Sequence, residues 1–149
     1  MKKEISIATI EDIDELIRLL NILFSQDIEF EPNREKQSAG LSKIISNPEI
    51  GEILVLKIEG RIIGMVSLLY SVSTALGGKV AILEDMVIDS DFRNRRLGTE
   101  LLSEAIGYAR ENGCLRITLL TDYNNEQAIH FYKGFGFSKS QMIPMRLVF

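Results

Sequence analysis

One segment in the middle of the chain constrains the fold most, because three kinds of local structure follow one another in it without a break. Residues 79–89 are rich in Val, Ile and Leu, which is typical of a buried strand. Residues 93–98 form a short basic turn that contains a glycine. From Leu97 to Asn112 the apolar residues recur at helical spacing, and Gly113 is placed to end that helix. The sequence therefore predicts a strand that runs through a basic turn directly into an amphipathic helix.

The residues on either side complete a pattern that mixes helices and strands. The sequence predicts strands over 4–8, 52–58, 61–70, 114–120 and 143–149, and helices that follow Thr9, cover 33–46, and run from Asn124 or Asn125 to Lys133. Glu59-Gly60 is a plausible two-residue hairpin turn. Because strands precede, connect and follow helices, the class is α/β or α+β with a mixed sheet. No repeat or linker interrupts the pattern, so we expect one domain over residues 1–149.

Composition excludes several classes of function. The 149 residues include 46% hydrophobic and 26% charged residues, an ordinary globular composition. A net charge of −4 argues against a general nucleic-acid binder, which needs a clustered basic surface. A single cysteine excludes an internal disulfide, and no apolar run approaches the roughly 20 residues that span a bilayer. We therefore expect a cytoplasmic protein with neither nucleic acid nor membrane as a partner.

The basic turn has the physical features of an anion site. Helix N-termini carry unpaired N–H groups and the positive end of the helix dipole. Arg93, Arg95 and Arg96 add positive charge, and Gly98 lets an anion approach the backbone closely. The segment lacks both the P-loop ending and the three-glycine dinucleotide fingerprint. A ligand with a diphosphate fits these features, and the alternative is a basic turn that is simply solvated.

The turn resembles the coenzyme A loop of the GNAT superfamily of N-acetyltransferases, whose pattern is Arg/Gln-x-x-Gly-x-Gly/Ala. It aligns with Arg93-Asn94-Arg95-Arg96-Leu97-Gly98, where Arg96 replaces the first glycine, so that a positive φ there would be costly. A second segment, from Asn125 to Phe137, is similar to the Asn-x-x-Ala-x-x-Phe-Tyr-x-x-x-Gly-Phe pattern of the same superfamily. The two matches have the order and separation typical of the family, and together they cover roughly residues 80–137.

The resemblance implies a fold and a co-substrate. The expected fold is a twisted mixed sheet of six or seven strands flanked by about four helices, in which the parallel strands 79–89 and 114–120 splay apart. Acetyl-CoA would enter that splay, with its pantetheine arm paired to the backbone of the first strand. The resemblance implies cofactor contacts from Met86, Val87, Ile88, Arg93, Asn94, Arg95, Arg96, Leu97, Gly98, Thr99, Asn125 and Tyr132. Asn125 is also a candidate helix cap, and Arg93 a support for the loop.

The resemblance also implies direct attack of an amine on the thioester, in a ternary complex. Tyr132 is the candidate acid that protonates the departing thiolate, and its alternative role is that of a packed aromatic residue. Glu84 is the candidate base, acting directly or through water. Glu84 and Asp85 are neighbours on a predicted strand, so we expect them on opposite faces, with Glu84 on the acceptor side. The alternative for either is a structural carboxylate.

The acceptor is left open by the sequence. Asp27, Glu29, Glu84 and Asp122 are candidate contacts for a cationic primary amine, on a small molecule or a protein, and a solvated acidic loop is the simpler account of the first two. His130, the lone histidine, cannot make a metal site, so we expect no metal. The family resemblance makes a homodimer possible. The alternative function is a non-catalytic acyl-CoA-binding sensor or interaction module of the same fold.

Overall fold

Five strands lie side by side in chain order in this computed structural model, which describes residues 2–25 and 31–149. The strands are β1 (Lys3–Ile7), β2 (Gly51–Ile58), β3 (Arg61–Ser73), β4 (Gly78–Ile88) and β5 (Ile117–Leu119). The first four pair antiparallel, whereas β5 runs parallel to β4. The predicted α+β class with a mixed sheet is therefore confirmed.

Four helices accompany the sheet within the described ranges: α1 (Ile13–Phe24), α2 (Arg34–Ser46), α3 (Leu97–Glu111) and α4 (Glu126–Lys133). Their ends follow from local capping chemistry. A 3-10 turn leads into α1, and in it the N–H of Thr9 donates to the Asp12 carboxylate at 2.8 Å. The Asn33 side chain accepts the N–H of Lys36 and so caps α2. None of these helices is long and apolar enough to cross a membrane.

The sheet buries both of its faces against helices. On one face, α1 and α2 pack over a core that includes Leu16, Leu19, Ile53, Val55 and Met65. On the other face lies α3, whose Leu101, Leu102 and Ala105 are fully buried. Each buried leucine contributes about 1.5–3 kcal/mol when it leaves water. This two-sided burial holds β3 at the centre of the sheet, with β4 beside it and α3 packed across β2, β3 and β4.

The β2–β3 hairpin has the tight turn that the sequence predicts. Glu59 has a φ of 50° and Gly60 a φ of 79°, so both central residues of the turn are left-handed. Two positive φ values match the right-handed twist of the flanking strands. The glycine accepts this conformation at little cost, whereas Glu59 carries some strain.

Three expectations about strands are wrong. The sheet has five strands within residues 2–25 and 31–149, rather than six or seven. Strand β5 covers only Ile117–Leu119 instead of 114–120. The tail over 143–149 forms no strand, and its apolar side chains are exposed, with Leu147 at 81% and Val148 at 85%. Strand-forming residues adopt a strand only where another strand or a packed surface receives them, and this segment pairs with no strand of the described chain.

The chain divides into two compact units. Residues 1–119 contain the sheet with α1, α2 and α3, and residues 120–149 contain α4 and the tail. Within the second unit α4 ends in a glycine-containing turn, where Gly136 has a φ of 98°. The interpretation of residues 1–149 as one domain therefore stays a prediction.

Candidate active site

The carboxyl half of β4 has a free edge. Strand β5 pairs with β4 only from Ala81 to Leu83, and β4 continues to Ile88 without a strand on that side in the described sheet. The N–H of Asp89 donates to the carbonyl of Ile63 on β3 at 2.7 Å. Because backbone groups alternate along a strand, those of Ile88 and Met86 face the open edge. This is the splay that the family resemblance implies.

Neither the side chain of Val87 nor its backbone faces the open edge of β4. Val87 is 6% exposed and belongs to the core beneath α1 and α2. Its N–H lies on the β3 side by the same alternation. The open edge therefore offers the main-chain groups of Met86 and Ile88, and Val87 contributes to the core instead. An extended ligand could pair with this edge as an added strand would.

A β-bulge interrupts β4 just where its edge becomes free. Met65 of β3 is opposite Val87 and Ser67 is opposite Glu84, so a single β3 residue faces two residues of β4. Asp85 has a φ of 52°, an uncommon conformation for a residue with a side chain. The strict alternation from which opposite faces were predicted for Glu84 and Asp85 is therefore broken at this point.

Asp85 is a further candidate site residue, which the sequence analysis did not select. Burial, and secondly the charge of Glu84, raise the pKa of the Asp85 carboxyl to about 6. Its side chain makes no hydrogen bond within the part of the chain that the structure describes. A strained backbone and a carboxyl with a raised pKa, beside a free strand edge, are typical of functional positions. The Glu-Asp pair was visible in the sequence, but the bulge at its second member was not.

Glu84 lies on the sheet face that α1 and α2 cover. Its cross-strand partner Ser67 is itself opposite Ile53, which belongs to the core beneath those helices. Glu84 is nevertheless exposed and is not part of that core. Ser67 is 1% exposed, and its hydroxyl has no hydrogen-bond partner among the described residues. A buried hydroxyl of this kind is a natural anchor for an ordered water.

The turn after β4 presents an unbroken series of free backbone donors. The first hydrogen bond of α3 runs from the N–H of Glu100 to the carbonyl of Arg96 at 3.2 Å. The preceding N–H groups, from Asn94 to Thr99, have no hydrogen-bond partner in the described residues. Gly98 lies in the first turn of α3, where it has no side chain to cover them. Converging N–H groups at a helix N-terminus bind phosphate groups in many proteins.

Two residues of this turn adopt left-handed backbone conformations. Asn94 has a φ of 64° and Arg96 a φ of 62°, and Arg96 is the N-cap of α3. The positive φ that would be costly at Arg96 is therefore present. Asparagine tolerates this region better than arginine does. Left-handed residues of this kind occur in turns that gather successive N–H groups into a concave anion site.

The arginines of the turn lie in solvent around those donors. Arg93, Arg95 and Arg96 are exposed, and no carboxylate of the described residues lies within 4.0 Å of them. Arg95 instead lies over the ring of Phe92, with 5.1 Å between the guanidinium carbon and the ring centroid. Leu97 is buried and anchors the end of the turn to the core. The charges are thus available to an anionic ligand.

The second unit holds the remaining candidates. The Asn125 side chain accepts the N–H of Ala128 at 3.1 Å, which confirms it as the cap of α4. The Tyr132 ring packs edge-on against Phe131 and Phe137, at centroid distances of 5.3 and 5.8 Å. Burial raises the pKa of the Tyr132 phenol. Its hydroxyl makes no hydrogen bond to the described residues, so its proton is free for donation.

The candidate acceptor residues are scattered in the chain. Asp27 and Glu29 lie outside the described residues. Asp122 is exposed at the start of the second unit, and its backbone carbonyl accepts the N–H of Asn125 at 3.0 Å. Within the described ranges no group of three or more His, Cys, Asp or Glu side chains could hold a metal ion.

Comparison with known proteins gives this geometry a family. The model of the Acetyltransferase (GNAT) family matches residues 13–137. An uncharacterized N-acetyltransferase of Methanocaldococcus jannaschii is 26% identical over 136 residues, which cover 91% of this chain and 60% of the relative. The chain thus spans less than two thirds of that protein. Aminoalkylphosphonate N-acetyltransferase of Salmonella typhimurium is 25% identical over 92% of this chain and 86% of its own length.

Solved structures agree on the fold. A predicted acetyltransferase from Clostridium acetobutylicum, crystallised with acetyl-CoA, superposes with a TM-score of 0.79 at 15% identity, over 97% of this chain and 96% of that one. Such low identity shows the fold alone. The match of the family model, however, includes the free edge of β4, the turn of unpaired N–H groups and the whole segment from Asn125 to Phe137. The chain therefore belongs to the GNAT family of acetyltransferases.

Proposed function

We propose that this protein is an acetyl-CoA-dependent N-acetyltransferase, which moves an acetyl group to a primary amine. The observation that carries the proposal is the run of unpaired N–H groups from Asn94 to Thr99, directly after the free edge of β4. A diphosphate fits the first feature and an extended amide-containing arm fits the second, and coenzyme A has both in sequence. The relative crystallised with acetyl-CoA supports the same assignment.

In this proposal the backbone holds the donor and the arginines attract it. The N–H groups of residues 94–99 receive the pyrophosphate oxygens, and Arg93, Arg95 and Arg96 supply positive charge around them. Met86 and Ile88 pair with the pantetheine arm through their main-chain groups. A donor that is held at its pyrophosphate and along its pantetheine arm presents its thioester at a fixed position along β4. Fixed positioning of this kind lowers the barrier of a bimolecular reaction.

The amine needs to lose a proton before its nitrogen can bond to the thioester carbon. We assign that proton to Glu84, acting directly or through a water bound at the Ser67 hydroxyl. Asp85 is the second candidate, because a carboxyl with a pKa of about 6 is ionised yet basic at neutral pH. When the new C–N bond forms, the C–S bond breaks, and the electron pair leaves with sulfur as a thiolate.

Tyr132 is assigned to protonate that thiolate. A phenol whose pKa is raised by burial is fully protonated at neutral pH and has no competing hydrogen bond in the described chain. The proton passes from the hydroxyl to sulfur, and coenzyme A leaves as a thiol. The phenolate then regains a proton from the nitrogen of the new amide, which still carries one more proton than the product. The assignment rests on the resemblance of the segment from Asn125 to Phe137 to the family pattern.

The acceptor class follows from the chemistry and not from a defined pocket. Direct attack requires an unprotonated amine, and we propose a primary amine on a small molecule or on a protein. One relative is named for aminoalkylphosphonates, so amines that carry an anionic group belong in any acceptor panel. Asp27, Glu29 and Asp122 favour cationic amines such as polyamines, which belong there too. The panel therefore spans both charge classes.

Two measurements test the proposal together. Calorimetry measures acetyl-CoA binding, and a thiol-release assay with the amine panel measures transfer. The expected result is binding together with amine-dependent release of coenzyme A, which mass spectrometry of the product confirms by a gain of one acetyl group. Binding without release for every amine would favour the acyl-CoA sensor, and absence of binding would reject both functions.

A further inference from the structure

A buried carboxylate lies just before the cofactor turn, which we define as residues 93–98. Asp89 follows β4 directly and is only 3% exposed. Its Oδ1 accepts the N–H of Asp91 at 3.0 Å, and its Oδ2 accepts Nη1 of Arg18 at 2.7 Å. Burial alone would raise the pKa of the Asp89 carboxyl, but the Asp91 N–H and the Arg18 guanidinium lower it below its ordinary value. The group is therefore a buried anion with both oxygens engaged.

Arg18 connects this carboxylate to helix α1. It projects from α1, and its Nη2 donates to the carbonyl of Ile62 on β3 at 2.9 Å. Its Nε donates to Glu15 at 2.9 Å. A guanidinium held at three points has little rotational freedom, and it in turn fixes the carboxylate that it touches. Arg61 adds a weaker contact, with its Nη2 3.7 Å from Oδ2.

The cofactor turn itself has few ties of its own. The N–H of Arg93 reaches the carbonyl of Ser90 at 3.5 Å, which is a long hydrogen bond, and Arg95 lies over Phe92. Two left-handed residues, Asn94 and Arg96, define its shape at some conformational cost. A strained segment keeps its shape only when its ends are fixed. The carboxyl end is fixed by buried Leu97, and the amino end is fixed by Asp89.

We propose that Asp89 is a positioning residue for the cofactor turn, and that Arg18 holds its carboxylate in the orientation that positions it. The inference rests on the proposed binding of acetyl-CoA at this turn. Asp89 contacts no ligand in this proposal. It acts through the N–H of Asp91, which sets the direction in which the chain leaves β4 and enters residues 93–98.

Two variants of Asp89 separate its roles. Asp89→Ala removes both the acceptor for Asp91 and the partner of Arg18, so the Michaelis constant for acetyl-CoA should rise at least about tenfold, with kcat at saturation changed less than about threefold. Asp89→Asn keeps an oxygen that can accept from Asp91, so the rise should be about threefold. Graded loss with rescue by the conservative variant is the signature of positioning.

The matched control is Tyr108→Phe, at the other end of the same helix. The Tyr108 hydroxyl donates to Glu52 at 2.5 Å and ties α3 to β2, far along the chain from the turn. Its loss should lower the melting temperature while the Michaelis constant for acetyl-CoA stays within about twofold. Equal rises in Tyr108→Phe and Asp89→Ala, or no rise in Asp89→Ala, would overturn the inference.

Hydrogen exchange tests the same idea without a ligand. The amides of Asp91, Phe92 and Arg93, which donate the hydrogen bonds at the start of this segment, should exchange at least about tenfold faster in Asp89→Ala than in wild type, and unchanged in Tyr108→Phe. Unchanged exchange in Asp89→Ala would contradict the positioning role even where acetyl-CoA binds. Faster exchange in a protein that binds no acetyl-CoA would instead reject the proposed function and leave the structural role of Asp89 supported.

Discussion

Single residues carry much of the chemistry of the cofactor turn, and Arg96 carries its largest local cost. With a φ of 62° it adopts a conformation that glycine enters freely and arginine does not. We therefore expect Arg96→Gly to raise the free energy of unfolding, by up to about 1 kcal/mol after the extra flexibility of the unfolded chain is included. Urea denaturation measures the difference, with Arg93→Gly as the control at a residue whose φ is −69°. Equal changes in the two variants would show that Arg96 is not strained.

Gly98 permits close approach of a ligand to the first turn of α3. Gly98→Val places a branched side chain beside the free N–H groups of that turn, so acetyl-CoA affinity should fall at least about tenfold, or about 1.4 kcal/mol. The matched control is Gly107→Val on the same helix, where a new Cβ meets nothing within 4 Å. Calorimetry should find the control unchanged. Equal affinity for both variants would remove Gly98 from the binding site.

Asp85 gives the protein a pH dependence with a definite sign. Its folded pKa of about 6 exceeds the ordinary 3.8, so the folded state binds this proton more tightly than the unfolded state does. Stability from this group is therefore complete below pH 3.8 and is lost as the pH rises through 6. Asp85→Asn should raise the melting temperature at pH 8 and change it little at pH 3.5. Asp122→Asn, at an exposed carboxyl, should have no effect at either pH.

The position of Asp85 also shows what residue patterns leave undetermined. An alternating strand pattern assigns each residue to one face, and that reading put Glu84 and Asp85 on opposite faces. A bulge arises where one residue of β3, between Met65 and Ser67, faces two residues of β4. It is therefore a property of two strands and not of one. Glu84 could be selected as the candidate base from the sequence. The burial of Asp85 and the unpartnered hydroxyl of Ser67 could not be predicted from it.

Secondary-structure elements differ in how far their own residues define them. The helices were predictable because caps are local: Asn33 and Asn125 each bind an N–H three residues ahead. Strand β5 was predicted too long and a tail strand was predicted in error, because strands depend on partners elsewhere in the chain. The site follows this division. The turn before α3 could be predicted, and the exact extent of the free edge of β4 could not.

Helix α4 places Tyr132 within an aromatic cluster, and its hydroxyl is the one polar part of that side chain. Tyr132→Phe keeps the ring contacts with Phe131 and Phe137, so the melting temperature and acetyl-CoA affinity should not change. If the phenol protonates the thiolate, kcat should fall about 100-fold. Tyr123→Phe is the control in the same unit, at a side chain that is 91% exposed. Unaltered turnover in Tyr132→Phe would show that another group, or water, supplies the proton.

On the scale of the whole molecule, the net charge is negative, whereas the charge at the cofactor turn is positive. The chain has 21 acidic and 17 basic residues, yet three arginines without carboxylate partners in the described structure surround the donors of the cofactor turn. An anionic ligand therefore meets local positive charge at the turn of a chain that is negative as a whole. Both interactions act through water over several ångströms and are screened by salt. Affinity for acetyl-CoA should thus depend on ionic strength more than the backbone contacts alone would require.

We expect the dissociation constant of acetyl-CoA to rise about three- to tenfold between 0.05 and 0.5 M NaCl. Arg96→Ala removes one of the three charges and should make this dependence shallower as well as weakening binding at low salt. Arg116→Ala, an exposed arginine outside the turn, should leave the salt dependence as in wild type. Titration calorimetry at four salt concentrations measures all three slopes. Parallel slopes would mean that the backbone donors alone hold the pyrophosphate, and that the arginines of the turn serve some purpose other than attracting it.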